Sequence, residues 1–294
     1  MNESDAYIAD RLFPIVSVKK QSDKIATYTK DYWFRDDAQL RAPGTESTGG
    51  GYEVTTSTTY FCDNYAWHED VPDETRANYD QPFDPDAEAT ALVTEKLKLK
   101  RERAWAADFF KTGVWTTTTT LAGVDQWSDY AGSDPIGNIE TAREAIYSVT
   151  GREPNKLLVG RGVWAKMKHH PDFIERIKYT QKAILTVDLV SSLLEVDQMF
   201  VGKAIYATAK EGATSQTYSY IYGKSALLFY TPPSPALRTP SAGYTFTWNK
   251  MGGISFMRRI RDDKAMYDRI EGHTFFDQKC LGTDLGYIYL TAVA

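Results

Sequence analysis

Cysteine is nearly absent: Cys62 and Cys280 are the only two in 294 residues. That excludes a disulfide framework, and their separation excludes a CxxC pair of zinc ligands, so both read as packed thiols. No apolar run reaches the ~18 residues that a membrane-spanning helix needs, and residues 1–10 lack the basic start and apolar middle of a secretory signal. A basic excess is missing too. The 34 Lys and Arg stand against 39 Asp and Glu, a formal charge of −5, which argues against a dedicated nucleic-acid reader.

Readable catalytic chemistry is also missing. There is no GxxxxGK[ST] and no GxSxG. Gly160-Arg161-Gly162 lacks the third glycine of a dinucleotide fingerprint. Ser17–Lys20 and Lys111-Thr112-Gly113 match two motifs of penicillin-recognising enzymes, without the Ser-Asp-Asn between them. His169, His170, Asp172 and Glu175 form the best metal candidate, but Pro171 breaks the helix that would set two ligands on one face. No enzyme activity, metal or cofactor is expected.

What is present is a chain that can bury a sizeable core, with 42% apolar and 13% aromatic residues. Its charge is unevenly laid out. From Asp31 to Glu95 there are fifteen carboxylates, three arginines and no lysine, a balance of 3 − 15 = −12. Directly after it, Lys96, Lys98, Lys100, Arg101, Arg103 and Lys111 oppose only Glu102 and Asp108. Adjacent blocks of opposite sign suggest surfaces built to meet a partner, another copy of the same chain included.

The clearest element is a helix opening at Asp84 as cap, with Pro85 in its first position and Gly113 to close it. Leu92, Leu99, Ala106 and Phe110 line one stripe, Val93, Leu97 and Ala104 a second, and Lys96, Lys100 and Arg103 form a basic row between them. Before the helix, residues 1–30 read as an arm. Residues 31–85 read as a two-stranded excursion around Gly49-Gly50-Gly51, with strands at Tyr32-Trp33-Phe34 and 54–61. After it, short helices and strands alternate over 138–230 as a compact α/β unit. Beyond Pro232-Pro233-Ser234-Pro235 come β-rich segments at 244–248, 254–260 and 287–293, expected to pack on the long helix.

The residues resemble those of tailed-phage major capsid proteins. Residues 7–16 (YIADRLFPIV) with 19–24 (KKQSDK) are similar to their N-arm, and Arg41-Ala42-Pro43-Gly44-Thr45 to the tip of their extended loop. The middle is the strongest match: Pro154 to Gly160, Val163-Trp164, His170-Pro171, residues 176–181 and Leu194 to Asp197. No single segment is specific, but together, and in this order, they are. The resemblance implies an α+β chain with the Hong Kong 97-type capsid fold: an N-arm (1–30), an extended E-loop (31–84), a P-domain begun by a long spine helix (85–134) and completed by 233–294, and an A-domain (135–232).

It further implies a shell protein that assembles with itself as hexamers and pentamers into an icosahedral head enclosing double-stranded DNA, contacted without reading sequence. The alternative on the same fold is an encapsulin-like nanocompartment. Implied partners are a scaffolding protein, a portal and a decoration protein, with no membrane; assembly is expected in the host cytoplasm and residence in the virion capsid. Inter-subunit contacts are expected at Phe13, Trp33, Arg35, Arg41, Glu46, Lys96, Lys100 and Arg103. Some relatives weld subunits through an E-loop lysine. With no lysine between Lys30 and Lys96, that crosslink is not expected. The arm begins close to Met1, so a separate scaffolding protein is expected in place of a cleaved segment.

Overall fold

The computed structural model describes residues 2–51, 53–80, 84–178, 185–210, 212–236, 239–249 and 255–294. The chain opens with a four-residue helix α1 (Ala9–Leu12) and strands β1 (Ile15–Val18), β2 (Ser22–Tyr28), β3 (Val54–Phe61) and β4 (Asp63–Pro72). Helices α2 (Asp73–Ala77) and α3 (Pro85–Phe109) follow, then β5 (Thr117–Thr120), α4 (Pro135–Thr150) and β6 (Lys156–Gly160). Next come α5 (Arg161–Met167), α6 (Pro171–Ile177), α7 (Val187–Leu193), β7 (Gln198–Gly202), β8 (Ile205–Ala207), β9 (Tyr218–Tyr220) and β10 (Ala226–Phe229). The chain finishes with β11 (Gly243–Trp248), β12 (Ser255–Asp262), β13 (Tyr267–Cys280) and β14 (Gly286–Leu290).

Helix α3 starts as its sequence dictates. Asp84 accepts hydrogen bonds from the amides of Asp86 and Ala87, and Pro85 takes the first turn, where its missing N–H costs nothing. At 25 residues it is about 37 Å long. It ends at Phe109, short of the expected Gly113 stop, because Phe110 leaves helical geometry and the Trp115 indole N–H takes the Phe109 carbonyl at 2.8 Å.

The two ends of α3 serve different sheets. Ala89, Val93 and Leu97 pack with Val71 and Ile270 on the first sheet, in which β13 pairs with β4, β12 and β11 and β1 joins β11 in parallel. Gly272 of β13 permits that approach, since a Cβ there would lie 2.5 Å from Val93. Trp105, Ala106 and Phe109 instead pack with Leu158, Phe200, Leu227, Phe229 and Ile288 of a second sheet, ordered β5-β14-β10-β6-β7. That sheet is covered on both faces: Leu158 points toward α3, while its neighbours Leu157 and Val159 join Ile139 and Ile146 of α4, Val163 of α5 and Phe173 of α6.

Several expectations are corrected. Residues Tyr32-Trp33-Phe34 form no strand; β3 pairs antiparallel with β2, inside the span read as arm. β4 leaves the excursion to pair with β13 along ten positions, from Asp63↔Phe276 to Pro72↔Tyr267. β14 packs Ile288 on α3 as expected, but among the described residues it does not pair with β11, β12 or β13. It inserts between β5 and β10, so the sheet of the α/β unit takes strands from both outside flanks. The arm is not wholly projecting either, because Ile8, Ala9, Leu12 and Phe13 are buried in the chain's own core.

Candidate assembly surfaces

The part of the excursion between β2 and β3 has little support of its own. Between Tyr28 and Val54 the described residues form no strand, and Trp33 and Phe34 are more than half exposed and Leu40 fully so. Order there is local. The Thr45 amide reaches the Ala42 carbonyl at 3.2 Å across Pro43 and Gly44, whose φ of +83° is the left-handed value that the third position of a type II turn demands. Arg41 steadies the turn by donating from Nε to the Thr45 carbonyl at 2.5 Å, and Arg35 lies over the Tyr32 ring at 5.4 Å. Glu46 is exposed beyond the turn.

The basic row of α3 lies on one exposed face, and each cation rests on an aromatic ring of its own chain. Lys96 Nζ is 5.8 Å from the Trp67 ring, Lys100 Nζ 4.7 Å from Tyr65, and the Arg103 guanidinium 4.3 Å from Tyr206. Such contacts contribute ~0.5–1 kcal/mol at exposed sites and fix where the charge sits without neutralising it.

The acidic block is divided. Asp70 pairs with Arg269, Asp73 with Arg76 and Arg261, and Asp86 with Arg76 and Arg259. Asp268, nearly buried on β13, gathers Arg76, Arg259 and Arg261. Part of the charge opposition expected between subunits is therefore internal, between β4, α2 and the β12–β13 hairpin. Asp36, Asp37, Glu46 and Glu53 remain exposed on the excursion.

Phe13 is placed differently from the expectation. It is fully buried, edge-on to Trp105 at 5.3 Å, Phe109 at 5.1 Å and Phe229 at 6.1 Å, so its contacts are internal. Beside it lies a polar junction that the sequence reading missed. Glu102, 1% exposed, accepts from the Ile8 amide at 3.1 Å, the Ala9 amide at 2.8 Å and the Tyr222 hydroxyl at 2.6 Å. Burial raises its carboxyl above the ordinary value, against the pull of those donors. Lys156 donates to the carbonyls of Arg11 and Leu12 at 2.6 and 3.0 Å, and burial lowers its ammonium to about 8. One signal for Glu102 was present: it lies between Leu99 and Ala106 on an apolar stripe.

Two residues of the motif candidates have structural roles. The His170 ring accepts from the Asp172 amide at 3.3 Å to cap α6, and its other nitrogen meets Ser133 Oγ at 3.1 Å. Gly160 is glycine because a Cβ there would lie 2.1 Å from the Gly223 carbonyl oxygen. Residues 179–181 of the quoted resemblance lie outside the described residues.

Known proteins resemble the chain in sequence and in fold. The phage major capsid protein E family matches residues 113–234. The major capsid protein of Burkholderia phage BcepMu is 31% identical over 289 residues, covering 96% of this chain and 90% of that one. Among solved structures, a phage-related protein of Bordetella bronchiseptica RB50 superposes with a TM-score of 0.78 at 25% identity, covering 99% of this chain and 94% of the other. The capsid of cyanophage P-SCSP1u gives 0.62 at 12% identity, over 95% and 86%. The SrpI encapsulin of Synechococcus elongatus PCC 7942 gives 0.53 at 10%, over 96% and 85%.

Proposed function

The chain belongs to the phage major capsid proteins and has the Hong Kong 97-type fold, and from that premise we propose that its copies close as hexamers and pentamers into an icosahedral head around double-stranded DNA. Proteins of this family form the capsid of the virion and build it from many copies of themselves. Their role is structural, and we assign this chain no catalytic step. One observation supports the assembly reading above the rest: an excursion carrying Trp33, Phe34 and Leu40 in the open has too little core of its own to hold a shape.

In this reading residues 1–30 serve as N-arm, 31–84 as E-loop, 85–134 and 233–294 as the two parts of the P-domain, and 135–232 as A-domain. Trp33, Arg35, Arg41 and Glu46 on the excursion, and Lys96, Lys100 and Arg103 on α3, are the proposed inter-subunit contacts. The free carboxylates Asp36, Asp37, Glu46 and Glu53 supply the sign that the aromatic-backed cations lack. Each such contact is weak, but a subunit held at several sites at once is held firmly. Scaffolding, portal and decoration proteins are proposed partners, packaged DNA is proposed to be contacted without sequence reading, and assembly is proposed in the host cytoplasm.

A nanocompartment shell is the weaker reading, because the encapsulin likeness at 10% identity reports fold alone, whereas the relative matched along nearly the whole chain is a phage capsid protein. Electron microscopy of particles formed with and without the neighbouring genes tests the proposal. Closed shells of uniform diameter filled with DNA are the expected result; shells filled with protein cargo would favour the nanocompartment, and a persistent monomer would refute both.

A further inference from the structure

Helix α1 is gripped at its two ends by two different bodies. From the long helix, Glu102 receives the amides of Ile8 and Ala9 at the start of α1. From the second sheet, Lys156 on β6 donates to the carbonyls of Arg11 and Leu12 at its end. A carboxylate on the first amides and an ammonium on the last carbonyls satisfy the groups that a helix leaves unpaired, with the signs its peptide dipoles favour. Immediately beyond, Phe13 wedges between Trp105 and Phe109 of α3 and Phe229 of β10.

We propose that α1 is a strap fastening the second sheet to the long helix, closed by Glu102 at one end and Lys156 at the other, such that opening either end releases both. The coupling follows from length. Four residues fix one turn whose own hydrogen bonds do not repay its nucleation, so its backbone geometry rests on the two anchors together with the Asp10–Arg101 ion pair and the burial of Ile8, Leu12 and Phe13 between the two bodies. When one anchor goes, the turn that presents backbone groups to the other goes with it. Tyr222 extends the coupling, since its hydroxyl, on the approach to β10, is the third donor to Glu102 and holds the carboxylate at the amides.

The alternative is that Glu102 and Lys156 are two independent caps. Hydrogen exchange of the full-length chain, with labelling of lysines by an acylating reagent, separates the two. In Lys156→Met, which keeps the apolar stem, the Ile8 and Ala9 amides are expected to lose at least about tenfold in protection although Lys156 touches neither, and Lys156→Arg is expected to restore it. In Glu102→Gln, acylation of Lys156 is expected to rise by about the same factor. Tyr222→Phe, a milder change should Glu102→Gln fail to fold, is expected to give a smaller rise. Ile8 and Ala9 protection unchanged in Lys156→Met, or Lys156 labelling unchanged in both Glu102→Gln and Tyr222→Phe, would overturn the strap and leave two separate caps.

Discussion

The Tyr222 hydroxyl donates a 2.6 Å hydrogen bond to Glu102 Oε1, joining residues 120 positions apart in a place water barely reaches. Burial pushes the tyrosine hydroxyl well above its ordinary value, so it stays protonated and keeps the hydrogen that it donates. Removing the hydroxyl leaves a desolvated carboxylate with one donor fewer. Tyr222→Phe is expected to cost about 1.5–3 kcal/mol, the range for a hydrogen bond to a charged group. Urea unfolding checks this, as a lower midpoint at unchanged slope.

Charge reversal along Lys96, Lys100 and Arg103 is expected to impair shell assembly more than subunit folding. The three side chains are exposed and rest on Trp67, Tyr65 and Tyr206, so the fold loses only weak ring contacts. Sedimentation of the triple Glu variant, beside its thermal unfolding, is the measurement; normal shells would show that the row takes no part in subunit pairing.

Gly160 and Gly162 are expected to respond with opposite signs. Ala at 160 would drive a methyl into the Gly223 carbonyl and separate β6 from the turn before β10, at about 1–3 kcal/mol. Ala at 162 meets open space inside α5 and is expected to stabilise by about 0.5–1 kcal/mol. Thermal unfolding of the two variants suffices, and equal losses would contradict the packing account.

Acid is expected to loosen the first sheet's outer end before the second sheet. Arg269 holds the Asp70 carboxyl below its ordinary value of 3.8, Arg261 does so for Asp73, and Arg259, with Arg76, for Asp268. A depressed carboxyl contributes stability that is present above the unfolded value and lost as pH falls through the folded one. Protection of the β4 and β12–β13 amides, corrected for intrinsic exchange, should therefore fall below about pH 4 while β6 and β10 keep theirs. Simultaneous loss in both sheets would show that these ion pairs do not set the order.

How much of this was legible differs by element. The cap and first turn of α3 are written locally in Asp84, Pro85 and Asp86, and the start is where the sequence places it. Pro171 to Ile177 and the end of α4 at Gly151, with φ of +61°, are legible for the same reason. β13 was not legible. Asp268, Arg269, Glu271, His273 and Gly272 interrupt any apolar alternation, and its 14 residues are a strand because β4, β12 and β11 pair with them. The row on α3 was visible as spacing, but the rings beneath it come from β4 and β8, distant in sequence.

By itself the sequence determined the start of α3 and the stop of α4 at Gly151, the bare and acidic excursion, the lack of catalytic motifs and the ordered segments shared with capsid proteins. These are local or compositional properties, set by a few adjacent side chains. The tertiary structure alone decided that Phe13 and α1 belong to the chain's own core, that β14 completes the α/β sheet, that part of the acidic block is matched by arginines of β12 and β13, and that Glu102 is a buried junction. Each of these depends on which distant surfaces exclude water from which charge or ring. Burial is a property of neighbours in space, and no residue's own chemistry specifies it.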